Sequence, residues 1–205
     1  MARRIGLLSD IHGNLQALLA VQASLPTCDQ VVVAGDFCLE GPQPAEVLDL
    51  LQELGWMLVV GNADCDVVSP PEDLKPRVAD IVRWTREQLG EQRLVRLGSL
   101  PRSVTVEGEA GESILVVHAN PKTLDDHLYP TMSEEELEPY LEGVTAPMLA
   151  FGHLHIPYVR PVKRTLLIDV SSVGHPKDGD RRAAFTLVEW SNGSRSVTQK
   201  RVPYD

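Results

Sequence analysis

The side chains able to do chemistry in this 205-residue chain gather in four short strings: Asp10-Ile11-His12, Gly35-Asp36, Gly61-Asn62 and Gly152-His153-Leu154-His155. A further donor, His118, follows one more apolar run. Carboxylate, imidazole and amide groups of this kind bind hard and borderline divalent metals. Two such ions about 3.5–4 Å apart activate water and neutralise phosphoryl oxygens, which is what cleaving a phosphate ester at neutral pH requires. One string alone carries little weight, because Asp-x-His at a strand end is commonly a hydrogen-bonded loop and Asn after Gly commonly stabilises a turn. Together, in order and each after a strand-like run, they specify a two-metal centre.

Elements must bring these strings together. Ile5 to Ser9 is a short, mostly apolar run ending at Asp10, which suits a strand covered on both faces. Asn14 is placed to cap a helix whose stripe is Leu15, Leu18, Leu19 and Val21. The pattern repeats: a strand at Gln30–Ala34, the Gly35-Asp36 loop, a helix opened by Pro44 with Val47, Leu48, Leu51 and Leu54, and a strand at Trp56–Val60. Such alternation implies parallel pairing with right-handed crossovers, and open α/β sheets place their sites at the carboxyl ends of neighbouring strands.

The second half reads as antiparallel or mixed sheet. Its apolar runs are Val104–Val106, Ser113–Val117, Met148–Phe151, Tyr158–Val162, Leu166–Val170 and Ala184–Trp190. Lys163-Arg164 and Asn192-Gly193 sit where hairpins would close. The remaining helical stretches are Pro76–Leu89 and Ser133–Leu141, the second with Glu136 three residues after Ser133 as a capping box.

Composition bounds the function. With 43% hydrophobic residues the chain can bury one sizeable core, and a single domain over residues 1–205 is expected. The apolar stretch after Arg3 and Arg4 is too short for a signal peptide or a membrane span. Cys28, Cys38 and Cys65 are too few for a disulfide framework, so a reducing, cytoplasmic setting is expected, with Cys38 and Cys65 read as small packing residues. A formal net charge of -10 and the lack of a Lys/Arg cluster argue against tight nucleic-acid binding. Arg181 and Arg182 read as flanking the next strand, and His127, beside Asp125 and Asp126, as a solvated loop residue.

The strings resemble the blocks D-x-H, G-D, G-N-H-D/E, H and G-H-x-H of the calcineurin-like metallophosphoesterase superfamily, in that order and over Ile5 to about Gly174. The likeness is nearest to its small bacterial and archaeal phosphodiesterases. It implies an α/β fold, a four-layer αββα sandwich of two facing mixed β-sheets flanked by helices. It implies two divalent ions, manganese first, with iron, nickel, cobalt or zinc as alternatives. Asp36 would bridge them, Asp10, His12 and His155 completing one and Asn62, His118 and His153 the other. A hydroxide between the ions would attack phosphorus while the metals and Asn62 hold the non-bridging oxygens. Two divalent ions against Asp10, Asp36 and that hydroxide leave a local charge of about plus one, so an acidic protein can still take a phosphate there.

The chain departs from the family at one place. Gly61-Asn62-Ala63-Asp64 has alanine where many members carry the histidine that acts as general acid. A positioned acid contributes about 10²–10⁴-fold, so diesters or anhydrides with good leaving groups are the expected substrates. His175, after Ser171-Ser172-Val173-Gly174, is the expected substitute acid, and Asp64 is either an exposed loop acid or a group that orients a ligand histidine. The leading function is a phosphodiesterase acting on a small-molecule phosphate ester, nucleotide-derived by analogy. Dinucleoside polyphosphate hydrolase and phosphomonoesterase are the alternatives among enzymes, and a non-catalytic metal-binding scaffold is the alternative of another class. The residues specify no oligomeric state.

Overall fold

The computed structural model describes residues 3–191 and 193–205. In chain order its elements are β1 (Arg3–Leu8), α1 (Leu15–Ser24), β2 (Gln30–Val33), α2 (Pro44–Leu54), β3 (Met57–Leu58), α3 (Asn62–Val68), α4 (Pro76–Gly98), β4 (Ser103–Glu107), β5 (Ser113–Val117), α5 (Glu134–Leu141), β6 (Met148–Phe151), β7 (Tyr158–Val162), β8 (Thr165–Asp169), β9 (Ala183–Ser191) and β10 (Ser194–Val202). They form two five-stranded sheets, ordered β10-β9-β1-β2-β3 and β4-β5-β6-β8-β7.

The expected αββα layering is observed, and side-chain alternation explains it. Ile5 and Leu7 of β1 meet Ile114, Val116, Met148, Ala150 and Ile168 of the second sheet in the space between the sheets. Leu8 and Val33 point the other way, under the buried faces of α1, α2 and α4. On the far side of the second sheet, Leu149, Phe151 and Leu167 are covered by Leu137 of α5 and by Leu128. Fully burying one such side chain stabilises by about 1.5–3 kcal/mol, so both faces of each central strand contribute.

Both sheets are mixed. In the first, β1, β2 and β3 are parallel, and β9 runs antiparallel to β1. In the second, β5, β6 and β8 are parallel, with antiparallel β4 and β7 at the edges. The carboxyl ends of five of the six parallel strands, β1, β2, β3, β5 and β6, carry the loops that hold the donor residues.

Several helix ends follow the sequence rules. The Asn14 side chain accepts the Ala17 amide at 3.1 Å to cap α1, and Ser133 and Glu136 form the reciprocal box at the start of α5 (3.2 and 2.6 Å). The Pro76–Leu89 helix ends where expected, because Gly90 breaks α4 with φ 66° and ψ 173°, but a further turn set runs on to Gly98. Leu19 does not join the buried face of α1. It is 40% exposed, and Ala17 takes the inward position.

The strand at Trp56–Val60 shortens to Met57–Leu58, since the Val60 amide leaves the sheet for the Pro101 carbonyl at 2.9 Å. Strand β10, whose polar alternation hid it, pairs with β9 over its whole length. The Asn192-Gly193 turn falls at that hairpin; Asn192 lies outside the described residues, and Gly193 has φ 75°. Among the described residues no helix is long and apolar enough to cross a membrane.

Candidate metal centre

The donor residues are positioned by loops bonded to one another. The Asp10 amide donates to the Gly35 carbonyl (3.0 Å) and the His12 amide to the Asp36 carbonyl (2.9 Å), joining the loops after β1 and β2. The Gly152 amide reaches the His118 carbonyl (2.8 Å), and the Gly174 amide the Asp10 carbonyl (3.0 Å), tying in those after β5, β6 and β8. Five donor residues, Asp10, His12, Asp36, His153 and His155, have φ between 50° and 65°, the left-handed region. Each costs about 1–2 kcal/mol relative to a right-handed conformation. The strain turns consecutive side chains towards one point, which extended backbone would not do.

Four imidazoles each have one nitrogen pinned by a backbone carbonyl. His12 Nδ1 donates to Leu39 (3.0 Å), His118 Nδ1 to Ala34 (2.7 Å), His153 Nε2 to Asp125 (2.8 Å) and His155 Nδ1 to His175 (2.5 Å). These bonds commit one nitrogen of each ring and turn the other towards the centre, where it offers a lone pair once it is deprotonated. The free nitrogens converge in two pairs: His12 Nε2 and His155 Nε2 are 3.4 Å apart, and His118 Nε2 and His153 Nδ1 are 3.2 Å apart.

Carboxylates complete both pairs. Asp10 Oδ1 lies 3.0 Å from His155 Nε2 and 3.7 Å from His12 Nε2, fully buried and with no hydrogen-bond partner. Asn62 Oδ1 is 2.9 Å from His118 Nε2. Asp36 Oδ2 stands between the groups, 3.9 Å from His12 Nε2 and 3.5 Å from His118 Nε2, while Oδ1 accepts the Ala63 amide at 3.0 Å. Converging imidazole nitrogens and a buried carboxylate oxygen with no hydrogen-bond partner need positive charge among them, from protons on the rings or from a metal ion. The structure brings all seven sequence-predicted donors to one place, where Asp and His groups lie close enough together to hold a divalent metal.

Electrostatics point the same way. Burial alone would lower the His12 pKa, but Asp10 and Asp36 outweigh it and raise it to about 9. Burial would raise that of Asp10, yet His12 and His155 hold it well below the usual carboxylate range. His118 is raised despite burial, chiefly by Asp36, whereas burial and His118 lower His153.

Asp64 has a role the sequence reading did not give it. It is fully buried, so it is no exposed loop acid, and its hydrogen bonds go to backbone amides instead of a ligand histidine. Its oxygens accept the amides of Asp36 (2.8 Å), Phe37 (2.9 Å) and Gly61 (2.9 Å), clamping the Asp36 loop to the start of α3. Burial and the Asp36 charge push its pKa up to about 7, against those three donors. Its place three residues after the helix-capping Gly61 is a capping-box spacing, the signal that could have revealed it.

His175 and His127 flank the centre. The exposed His175 ring lies 5.7 and 5.5 Å from those of His12 and His155, with Nδ1 3.2 Å from Glu40 Oε2. Burial and the His12 charge lower its pKa, and Glu40 opposes them. His127 is not simply solvated: its ring packs against His153 in a tilted contact, with centroids 4.2 Å apart and planes at 39°. Cys38 is buried as expected, Cys65 only partly, and Arg182 pairs with Asp180 beside β9.

Comparison with known proteins agrees with this geometry. Residues 4–193 match the calcineurin-like phosphoesterase superfamily domain. An uncharacterized protein of Methanocaldococcus jannaschii is 28% identical over 98% of this chain and 88% of its own. The crystal structure of a metallophosphoesterase from Sphaerobacter thermophilus superposes with a TM-score of 0.80 at 27% identity, covering 100% of this chain and 90% of that one. A protein from Pyrococcus horikoshii shares the fold with a TM-score of 0.86 at 19% identity, over 98% and 88% of the two chains.

Proposed function

Because the chain belongs to the calcineurin-like phosphoesterase superfamily, we propose that it is a two-metal phosphodiesterase acting on small-molecule phosphate esters. The observation that carries the reading is Asp36 Oδ2, faced from two sides by His12 and His118, each paired with a second imidazole whose far nitrogen is already committed to a carbonyl. Asp10, His12, His155 and Asp36 hold one ion, and Asp36, Asn62, His118 and His153 the other. Manganese is the first choice, and iron, nickel, cobalt and zinc also suit mixed nitrogen and oxygen donors. Such ions supply a water of lowered pKa and neutralise charge on the phosphoryl group.

The chain's own groups do the rest. Asn62 turns Oδ1 to the centre and leaves its amide hydrogens for a phosphoryl oxygen. Ala63 offers no proton, because its side chain is a methyl and its amide is spent on Asp36. His175, paired with Glu40, is the group we assign to protonate the leaving oxygen. Its lowered pKa leaves little of it protonated at neutral pH, which makes it a weak acid catalyst and favours diesters with good leaving groups over alkyl monoesters. A charge of -10 supports a small-molecule substrate rather than nucleic acid, and three free cysteines support a cytoplasmic setting.

Hydrolysis of bis-p-nitrophenyl phosphate by protein loaded with Mn²⁺ tests the function, with metal content read by mass spectrometry. Two ions per chain and turnover are expected, with dinucleoside polyphosphates and monoesters as slower substrates. Folded protein that hydrolyses none of these with any of the five metals is a scaffold, and the reading fails. His175→Ala is expected to slow alkyl diesters more than activated ones; equal losses on both remove it from the acid role.

A further inference from the structure

An aromatic column leads outward from the centre. His153 is followed by His127, tilted at 39° with ring centroids 4.2 Å apart, and His127 by Tyr129, stacked at 5.3 Å with the two planes within 9° of parallel. Tyr129 ends the column 48% exposed, one of few large apolar side chains left open among the described residues. An isolated exposed tyrosine would mean little. This one stacks on His127, whose other contact is His153, one of the candidate metal donors.

The loop that presents it is rigid. Leu124 and Leu128 anchor it in the protein, at 9% and 1% exposure. The buried Asn120 side chain donates to the Asp126 carbonyl (2.8 Å) and accepts the amides of Lys122 and Thr123 (2.8 Å each). Tyr158 donates its hydroxyl to the Leu128 carbonyl (2.6 Å), and Arg160 donates to the carbonyls of Pro130 (3.0 Å) and Met132 (2.5 Å). Carbonyls on both sides of Tyr129 are therefore fixed by side chains of β7. With its backbone held this way and its ring against His127, Tyr129 loses little freedom when a flat ligand stacks on it.

We propose that Tyr129, backed by His127, is a stacking platform for the aromatic group of the substrate, and that this group is a nucleobase whose phosphate lies at the metal centre. The proposal rests on the reading of that centre as a phosphate site. A nucleobase suits it because every base offers a π-face, so that stacking gives affinity without hydrogen-bond readout. Stacking of one base changes affinity by about 5- to 150-fold. Tyr129 is thus a specificity residue, not a catalytic one.

Calorimetric titration of the full chain loaded with Mn²⁺ tests this without turnover. The probes are an adenosine 5′-phosphonate, whose P–C bond resists hydrolysis, and methylphosphonate. Wild-type protein is expected to bind the nucleoside compound at least about fivefold more tightly. Tyr129→Ala is expected to abolish that preference and leave methylphosphonate affinity unchanged, which also shows that the variant is folded; Tyr129→Phe is expected to keep the preference. Equal binding of the two probes by wild type, a preference that survives Tyr129→Ala, equal weakening of both probes, or binding of neither overturns the proposal. If the preference is present and lost in Tyr129→Ala while no phosphate ester is hydrolysed, the platform stands and the hydrolase reading fails.

Discussion

Gly61 tests the geometry of the shared carboxylate with a single methyl group. Its backbone, at φ -100° and ψ 173°, is comfortable for alanine, so Gly61→Ala adds no conformational strain of its own. A Cβ there would overlap Asp36 Oδ1, and would stand 2.5 Å from the Asp36 amide nitrogen and 2.9 Å from its Cγ. None of these atoms is the end of a flexible chain, because Asp64 holds the Asp36 amide and the Ala63 amide holds Oδ1. Overpacking of this kind costs about 1–3 kcal/mol. For a chain of this size 1 kcal/mol lowers Tm by about 2–4 °C, so a fall of about 2–12 °C follows. On the proposed two-metal reading, displacing Asp36 would weaken both ions at once, and loss of ligand support typically lowers metal affinity by about 10–100-fold. Calorimetry in EDTA reads the first effect, and competition for Mn²⁺ with a chromophoric chelator reads the second. A variant with wild-type Tm and wild-type Mn²⁺ affinity would refute the placement of Asp36 against Gly61.

His12, raised to about 9, carries a proton that an arriving ion must displace, so Mn²⁺ affinity is expected to rise by up to about tenfold per pH unit from neutrality towards that value. Chelator competition at stepped pH checks it, and a flat profile contradicts it. Since the raised pKa stabilises the fold below the ordinary value of 6.5, metal-free protein should also lose stability as pH climbs from there towards about 9. Asp169 is buried with Oδ2 unpartnered, and burial raises its pKa well above 3.8. The folded state thus keeps a proton that the unfolded chain releases, and stability falls as pH rises past 3.8. Asp169→Asn, which retains an oxygen for the Ser171 amide, should be more stable than wild type in urea at neutral pH, with the gap closing in acid; a less stable variant at pH 7 would contradict this. His118→Ala should bind one ion instead of two by mass spectrometry, because it removes a donor from one group only; two ions retained would undo the assignment.

The donors were legible in the sequence because short apolar runs end at each of them, and parallel pairing forces those ends together. Asn14, Ser133 and Pro44 marked helix starts through local rules that the structure obeys. What stayed hidden depends on partners far along the chain. The carbonyls of Leu39, Ala34, Asp125 and His175 leave no trace in residue type, since every residue offers one. Strand β10 pairs through its backbone, and its residues Ser194 to Lys200 are largely polar or exposed. His127 reads as solvated from its acidic neighbours, and only the fold brings it against His153.

The left-handed conformations at Asp10, His12, Asp36, His153 and His155 have a bearing on how such a chain drifts over generations. At each of these places glycine is the residue the main chain would prefer, so replacement there relieves stress and leaves a sturdier polypeptide without its chemistry. Selection for stability alone would erode the centre from these five corners inward. A descendant retired from hydrolysis should therefore show glycine or asparagine at those corners while the strands behind them stay apolar, and that substitution pattern would mark the retirement in sequence alone.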